Sequence, residues 1–120
     1  MEDGKRPQPR SGKTGCPIEI SIAVIGGVWK PLILFSLLSG AKRYGALSRL
    51  VPNATQRVMT LHLRQLEADG IIRRTAYAGT PLRVKYELTD LGWSLEPLLQ
   101  ALHAWGSQYL SHDGRLEAGS

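Results

Sequence analysis

The chain has 120 residues, of which 42% are hydrophobic, with one cysteine and a formal net charge of +5, so its length and composition predict one domain with an ordinary core. The longest apolar run, residues 32–38, is interrupted by Ser36 and is much shorter than the roughly 20 residues that a membrane-spanning helix needs. The N-terminus lacks the apolar segment of a secretory signal, and one cysteine excludes an internal disulfide, so we expect a soluble, cytoplasmic protein with no membrane partner.

Two polar termini flank the segment that is predicted to fold. Residues 1–15 are rich in Pro, Gly, Lys and Arg and nearly lack apolar side chains, so we expect a disordered basic tail. Residues 111–120 are also polar and are predicted to form a flexible C-terminal tail. The folded domain is therefore expected to occupy residues 16–110.

Two helices are predicted at the start of this domain. The first begins at Pro17, which is tolerated in the first turn of a helix, and ends at the glycine pair of residues 26–27. The second is predicted over about residues 29–39, with Gly40 as its stop signal. Because the second helix is apolar nearly all round, we expect it to be the most deeply buried element.

A helix-turn-helix pattern follows over residues 42–70, where a short helix, a break and a longer helix succeed one another. The short helix is predicted over residues 44–50, with Leu47 and Leu50 facing the core, and residues 51–54 break it. Two helices joined in this way are a device for placing the second helix in the major groove of DNA.

The second helix of this motif begins after Thr55, whose hydroxyl group can cap its N-terminus. Three apolar residues at i, i+4 and i+7 predict its buried face, and Gly70 ends it. These buried residues are Met59, Leu63 and Leu66. Helical geometry then directs another set outwards as candidates for reading bases, namely Gln56, Arg57, Thr60, Leu61 and Arg64. Arginine can pair with guanine, glutamine with adenine, and an apolar side chain can contact a thymine methyl group.

A basic β-hairpin is predicted next, which extends the motif to a winged helix-turn-helix. Residues 82–88 alternate apolar and charged side chains, as a half-buried strand does, and residues 71–77 are the expected partner strand. Arg83 and Lys85 share one strand face near the predicted tip. Arg73 and Arg74 lie on opposite faces of their strand, so at most one of them is expected to join the same surface.

Positive charge is concentrated in the same part of the chain. Between residues 42 and 85, nine basic residues oppose two acidic ones, whereas from residue 87 onwards five acidic residues oppose one basic residue. The side chains expected to contact phosphates are Lys42, Arg43, Thr55, Arg74, Arg83 and Lys85. A solvated basic surface would carry the same charge, but the helix-turn-helix pattern favours double-stranded DNA as the partner.

A long last helix is predicted after Thr89 or Asp90, either of which can cap it. Its apolar residues recur with a 4-3-4-3-4 spacing that is typical of a helix packing along another helix. This repeat begins at Leu91. Its other five residues, together with two residues of the first helix, form a candidate homodimer interface, which consists of Ile18, Ile22, Leu95, Leu98, Leu102, Trp105 and Tyr109. Pro97 lies inside this stretch and predicts a kink.

Cys16 lies at the predicted N-terminus of the first helix, where the helix dipole favours the thiolate. That reactivity suits a redox sensor, and without a second cysteine in the chain, oxidation can join Cys16 only to another subunit or to a small thiol. A small residue packed at a helix end is the alternative. The three histidines (His62, His103 and His112) show no metal-ligand spacing, and no catalytic set or phosphate loop is present, so neither a metal, a cofactor nor an enzyme is expected.

Six segments in this order resemble the HxlR-type transcription regulators. They are residues 16–17 (CP), 25–29 (IGGVW), 43–47 (RYGAL), 63–70 (LRQLEADG), 86–92 (YELTDLG) and 105–106 (WG). The resemblance covers residues 16–109 and implies a winged helix-turn-helix related to the MarR-like regulators. It also implies a homodimer joined through the N- and C-terminal helices, and a cysteine near the N-terminus that senses oxidants or electrophiles in some members. Two departures are Val28, where the family often has Lys, and Thr55, where it usually has Ser.

We therefore expect a mainly α fold with a small β-hairpin, that is, a winged helix-turn-helix with extra dimerisation helices. The expected function is that of a homodimeric, sequence-specific DNA-binding transcriptional regulator, a repressor rather than an activator, on a pseudo-palindromic operator. Its signal would be an oxidant or electrophile at Cys16. One alternative is a regulator controlled by a small-molecule effector at the dimer helices. The other is a winged-helix protein-interaction module that does not bind DNA.

Overall fold

The computed structural model describes residues 16–77 and 83–119. The elements in this part of the chain, in order, are α1 (Pro17–Ile25), α2 (Trp29–Leu37), β1 (Lys42–Arg43), α3 (Tyr44–Leu50), α4 (Gln56–Ala68), β2 (Ile72–Tyr77), β3 (Arg83–Leu88), α5 (Asp90–Trp93) and α6 (Glu96–Gly119). The helix-turn-helix, formed by α3 and α4, is followed by a small antiparallel sheet. This arrangement confirms the predicted fold class. The predicted N-terminal tail, residues 1–15, and the predicted hairpin tip, residues 78–81, lie outside the described residues.

The α1 and α2 helices begin and end where the glycines and proline predict. Pro17 occupies the first position of α1, and Gly26 ends the helix by donating its N–H to the carbonyl of Ile22 at 2.7 Å. In α2, Leu34 is fully buried, but Leu32 is 47% exposed. α2 contributes four buried residues, but one of its apolar faces is left exposed, since the neighbouring elements that α2 packs against cover only its other sides.

No single helix in the described part of the chain is long and apolar enough to span a membrane. α1 and α2 reach the required length and hydropathy only when taken together, and a bend of 79° separates them.

The turn between α3 and α4 forms as the sequence predicts, with one exception on its inner side. Leu47 is buried, but Leu50 is 53% exposed, so the prediction that Leu50 faces the core is wrong. Val51 takes that place in the core, because α3 ends there and the chain leaves the helical conformation. The predicted cap is confirmed, since Thr55 Oγ1 accepts a hydrogen bond from the N–H of Val58 at 3.1 Å.

The sheet has three strands in the order β1-β3-β2, and both pairs are antiparallel. The hairpin of β2 and β3 is as predicted, with Ile72 opposite Leu88 and Arg74 opposite Tyr86. β1 was not predicted, because a strand of two residues carries no alternating pattern and exists only through its pairing with β3.

The segment after β3 is two helices rather than one kinked helix. Thr89 caps the short α5, since its Oγ1 accepts a hydrogen bond from the N–H of Gly92 at 3.0 Å. The chain turns after Trp93, and α6 begins at Glu96. Pro97 thus lies in the first turn of α6, where its missing N–H costs nothing, whereas in one continuous helix its ring would clash with the Trp93 carbonyl. The predicted kink is therefore wrong.

α6 also extends further than predicted. It continues to Gly119, beyond the boundary that we predicted at residue 110. Residues 111–119 contain no proline, so every residue there can donate its N–H to the helix.

Gly92 allows the first turn of α5 to lie against the start of the sheet. A Cβ at this buried position would lie 2.2 Å from the backbone oxygen of Ile71. We expect Gly92→Ala to lower the free energy of unfolding by about 2 kcal/mol or more, because the backbone must shift to relieve this overlap.

The measurement is urea unfolding at a fixed protein concentration. Gly45→Ala in α3 is the matched control, because its Cβ would meet nothing closer than a terminal nitrogen of Arg49 at 3.8 Å. We expect that variant to be more stable by roughly 0.5–1 kcal/mol, as alanine is preferred over glycine inside a helix. Equal stability of the two variants would contradict the close packing of Gly92.

Candidate nucleic-acid interface

α4 is divided lengthwise into a buried face and an exposed face. The predicted buried residues are confirmed, since Met59, Leu63 and Leu66 are at most 2% exposed. They belong to the core that α2 and the sheet also form. A rigid helix that buries one face in this way must direct the opposite face to solvent.

The exposed face of α4 brings together all the base-reading candidates and the cap residue. Thr55, Gln56, Arg57, Thr60, Leu61 and Arg64 line one open cleft of about 770 Å³. Four of the six side chains are exposed along the helix itself, namely Gln56, Arg57, Leu61 and Arg64, and Thr60 is half-buried. We call this surface the α4 face.

The chemistry of the α4 face is cationic with an apolar centre. Leu61 is 51% exposed between the two arginines in sequence. Within the described residues, neither Arg57 nor Arg64 forms an ion pair or a side-chain hydrogen bond. Two guanidinium groups without an acidic partner in this part of the chain, beside an amide and an apolar side chain, match the donors and methyl contacts that base edges require.

The sheet separates the phosphate candidates onto two faces. Arg43 lies opposite Lys85 in the register of β1 and β3, so these two side chains share the outer face, which Arg83 also joins. Lys42 lies on the other face and donates a hydrogen bond from Nζ to Ser39 Oγ at 2.9 Å. It lines a cleft with residues of α2 and α6, away from the α4 face.

The two adjacent arginines of β2 also point in opposite directions, as their alternation predicts. Arg73 Nε donates to Glu87 Oε2 at 3.2 Å on the outer face. Arg74 lies on the face that contacts α4, where it lines a cleft with Arg64 and Glu67. Of the pair, Arg74 is therefore the one that joins the surface next to α4.

A buried lysine, which the sequence analysis missed, lies behind α4. Lys30 of α2 is only 4% exposed, although it is charged. Burial first, and then the nearby Lys30 charge, hold the pKa of His62 on α4 below its ordinary value, while a hydrogen bond with Gln65 acts in the opposite direction. The sequence does show a lysine within a mostly apolar helix, which could have indicated a buried charge. Whether Lys30 is buried, however, depends on how α1, α2 and α4 pack.

Cys16 occupies the N-cap position of α1. Its side chain is exposed and makes no capping hydrogen bond, while its carbonyl accepts a hydrogen bond from the N–H of Ile20 at 3.1 Å. The predicted position at a helix N-terminus is confirmed. Glu19, in the first turn of the same helix, adds a carboxylate near this end.

The candidate dimer residues form an exposed apolar surface on α1 and α6. The exposed members are Ile18, Ile22, Leu98, Leu102, Trp105 and Tyr109. The rings of Trp105 and Tyr109 stack with their centroids 5.3 Å apart. Leu95 differs, since it is half-buried and packs against the core of its own chain. Several large apolar side chains exposed on two helices are typical of an interaction site.

The comparison with known proteins agrees with this geometry. The model of the HxlR-like helix-turn-helix family matches residues 24–114. The chain belongs to the HxlR-like family. It is 43% identical over 104 residues to the HTH-type transcriptional regulator YdeP of Bacillus subtilis (strain 168), covering 87% of this chain and 81% of YdeP.

Solved structures of HxlR-like and related regulators share the fold. The redox regulator HypR in its oxidised form is 43% identical, with a TM-score of 0.75 over 78% of this chain and 96% of HypR. The diamide-treated YodB of B. subtilis is 31% identical, with a TM-score of 0.66 over 81% of this chain and 97% of YodB. This HxlR-like protein is therefore a transcriptional regulator with a MarR-like winged helix, and its family is not one of enzymes.

The lowered pKa of His62 predicts a specific pH dependence. The native state resists protonation of His62, so the unfolded state takes up that proton first as the pH falls below about 6.5. Neutral His62 therefore makes its full contribution to the free energy of unfolding above pH 6.5, and this contribution is lost as the pH falls from 6.5 through the lower native pKa of His62.

An NMR titration of the His62 imidazole measures that native pKa directly. We expect a midpoint below 6.5 in the wild-type protein. Lys30→Met is expected to raise the midpoint, because it removes the neighbouring positive charge while the burial of His62 remains. A wild-type midpoint at or above 6.5 would contradict the packing described for α2 and α4.

Proposed function

We propose that this regulator is a sequence-specific DNA-binding repressor, which acts as a homodimer on a pseudo-palindromic operator. The observation that carries the proposal is the α4 face, where Arg57 and Arg64 flank Leu61 on the exposed side of a helix whose other side is buried. In this proposal α4 lies in the major groove, and the sheet approaches the adjacent backbone or minor groove.

The spacing of the α4 face suits contact with several base pairs. Arg57 and Arg64 are seven residues apart, which corresponds to a rise of about 10 Å along an α-helix. Successive bases of one DNA strand are about 3.4 Å apart, so the two arginines span about three base pairs. Gln56 and Arg57, at the N-terminal end of α4, are the proposed base readers, because the N-terminal part of a recognition helix is the part that contacts base edges.

The exposed apolar surface of α1 and α6 supports the proposed homodimer. Pairing this surface with the same surface of a second copy would bury Ile18, Leu102 and Trp105 around a two-fold axis. The two α4 helices would then meet half-sites about one turn of DNA apart, ~34 Å. Occupation of a promoter by such a dimer would exclude the transcription machinery, which is the proposed mechanism of repression.

A second candidate, regulation through Cys16, is favoured by its exposed thiol at the N-terminus of α1. The same helix carries Ile18 and Ile22 of the proposed dimer surface, so a change at Cys16 would act on the arrangement of the two subunits. The similar structures of HypR, described as a redox regulator, and of diamide-treated YodB add support. A peroxide would oxidise the Cys16 thiol to a sulfenic acid and release water, and a second thiol would then form a disulfide with it and release a second water molecule.

The test of DNA recognition is the selection of bound duplexes from a random pool. We expect a two-fold symmetric consensus whose half-sites are one helical turn apart. Arg57→Gln is expected to weaken binding to this consensus by roughly 10- to 100-fold for each half-site and to relax the preference at one base pair in each half-site, because a bidentate contact contributes about 1–3 kcal/mol.

Gln108→Glu is the matched control, since it changes the net charge by the same one unit on an exposed position of α6. It is expected to retain the consensus and nearly the wild-type affinity. If no sequence is enriched, and if association with DNA shows little salt dependence, the protein is a protein-interaction module instead of a DNA-binding repressor.

Replacing Cys16 by Ser tests the redox candidate. We expect the wild-type dimer to release the consensus duplex after treatment with hydrogen peroxide, and the Cys16→Ser dimer to remain bound, because serine cannot form a sulfenic acid or a disulfide. Band-shift titrations before and after oxidation, with recovery in dithiothreitol, provide the measurement. Equal release by both proteins would exclude Cys16 as the sensor. A Cys16→Ser protein that still releases DNA in response to a small apolar ligand would favour the alternative, a small-molecule effector at the dimer helices.

A further inference from the structure

A second, mainly polar cleft lies where α4 meets the sheet. It has a volume of about 480 Å³ and is lined by Thr60, Leu63, Arg64 and Glu67 of α4, Arg74 of β2 and Tyr86 of β3. We call it the junction cleft. It borders the α4 face, because Thr60 and Arg64 line both.

The sheet register directs two polar side chains into the junction cleft. Arg74 and Tyr86 are directly opposite each other in the antiparallel pair, so their side chains leave the same face of the sheet and lie side by side. Ile72 and Leu88, which are also on this face, are buried. The face is therefore the one that packs towards α4, and Arg74 extends from it to the edge of that packing.

The junction cleft holds more positive than negative charge. It contains the guanidinium groups of Arg64 and Arg74 and one carboxylate, that of Glu67. Within the described part of the chain, none of these three side chains forms an ion pair or a hydrogen bond. Arg73, by comparison, is held by Glu87 on the opposite face of the same strand.

We propose that the junction cleft binds one phosphate of the DNA backbone, held by Arg74 and Arg64 and by the hydroxyl group of Tyr86. This inference rests on the proposed function. If α4 occupies a major groove and the sheet reaches the adjacent minor groove, the sugar–phosphate strand that separates the two grooves must cross the junction of α4 and the sheet. That is where the cleft lies. Guanidinium groups match phosphate oxygens in geometry as well as in charge.

A phosphate contact positions the protein without reading sequence, so its loss should lower the affinity and the salt dependence of binding but leave the selected consensus unchanged. The experiment compares Arg74→Gln with Arg73→Gln on the duplex obtained by selection. The two variants lose the same charge on adjacent residues of one strand, but on opposite faces. We expect Arg74→Gln to weaken binding of the dimer by about tenfold for each half-site and to reduce the slope of log K against log salt by about 1.8, which is about 0.9 for each of the two lost phosphate contacts, with an unchanged consensus. Arg73→Gln is expected to retain most of the affinity and slope.

Two further variants examine the neighbouring groups. Tyr86→Phe removes only a neutral hydrogen-bond donor, so we expect a loss of roughly 2- to 10-fold with an unchanged salt slope. Glu67→Gln removes a negative charge from beside the phosphate, so we expect it to bind DNA more tightly than the wild-type protein.

Neutral methylphosphonate groups, placed one at a time along the duplex, identify the phosphate itself. The wild-type protein is expected to lose affinity wherever a contacted phosphate is neutralised, and Arg74→Gln is expected to be insensitive to substitution at one of these positions in each half-site. If Arg74→Gln keeps the wild-type salt slope and lowers only the thermal stability, Arg74 supports the packing of the sheet and the proposed site is wrong. Failure of the proposed function is distinct, because the wild-type protein would then select no duplex.

Discussion

The burial of one face of α4 is the constraint on which the rest of this structure depends. Met59, Leu63 and Leu66 are almost completely buried against α2 and the sheet. Full burial of each such side chain stabilises the fold by roughly 1.5–3 kcal/mol, which is more than most single surface interactions contribute. Because the helix is rigid, this burial sets its rotation about its own axis. The composition of the α4 face therefore follows from the core, and Arg57 and Leu61 are exposed because they lie on the side of the helix opposite to the buried residues.

The position of the sheet relative to α4 depends on a small polar junction. Gly70 adopts φ 78° and ends α4, and Thr89 Oγ1 donates a hydrogen bond to its carbonyl at 2.6 Å. The N–H of Thr89 donates to Ile71 O at 3.0 Å, and the absence of a side chain at Gly92 allows that oxygen to lie close. The end of α4, the start of β2 and the start of α5 are thus held together, and Arg74 is placed beside α4 as a consequence.

The proposed dimer surface and the core share the same helices. On α6, Leu99 is buried among core residues while Leu98 and Leu102 are exposed. On α1, the core residues Val24 and Ile25 follow shortly after the exposed Ile18 and Ile22. In the proposed dimer, a change in the pairing of these helices would move core residues that also contact α2, and α2 packs directly against α4. In this proposal, a signal at Cys16 would first change the contacts of the exposed dimer residues of α1 and α6, and would then reach α4 through the packing of α6 on α2 and of α2 on α4.

Local patterns were sufficient to predict α4, its cap and its two faces, because helical spacing and an N-cap hydroxyl involve residues within a few positions of one another. The two strands of the hairpin and the opposite directions of Arg73 and Arg74 were predictable for the same reason, whereas the register that pairs the strands was not predicted. The pairing of β1 with β3, the burial of Lys30 and the exposure of Leu50 depended on residues distant in sequence. So did the placement of Arg74 and Tyr86 beside Arg64, since a strand pattern tells which residues share a face but not what that face packs against.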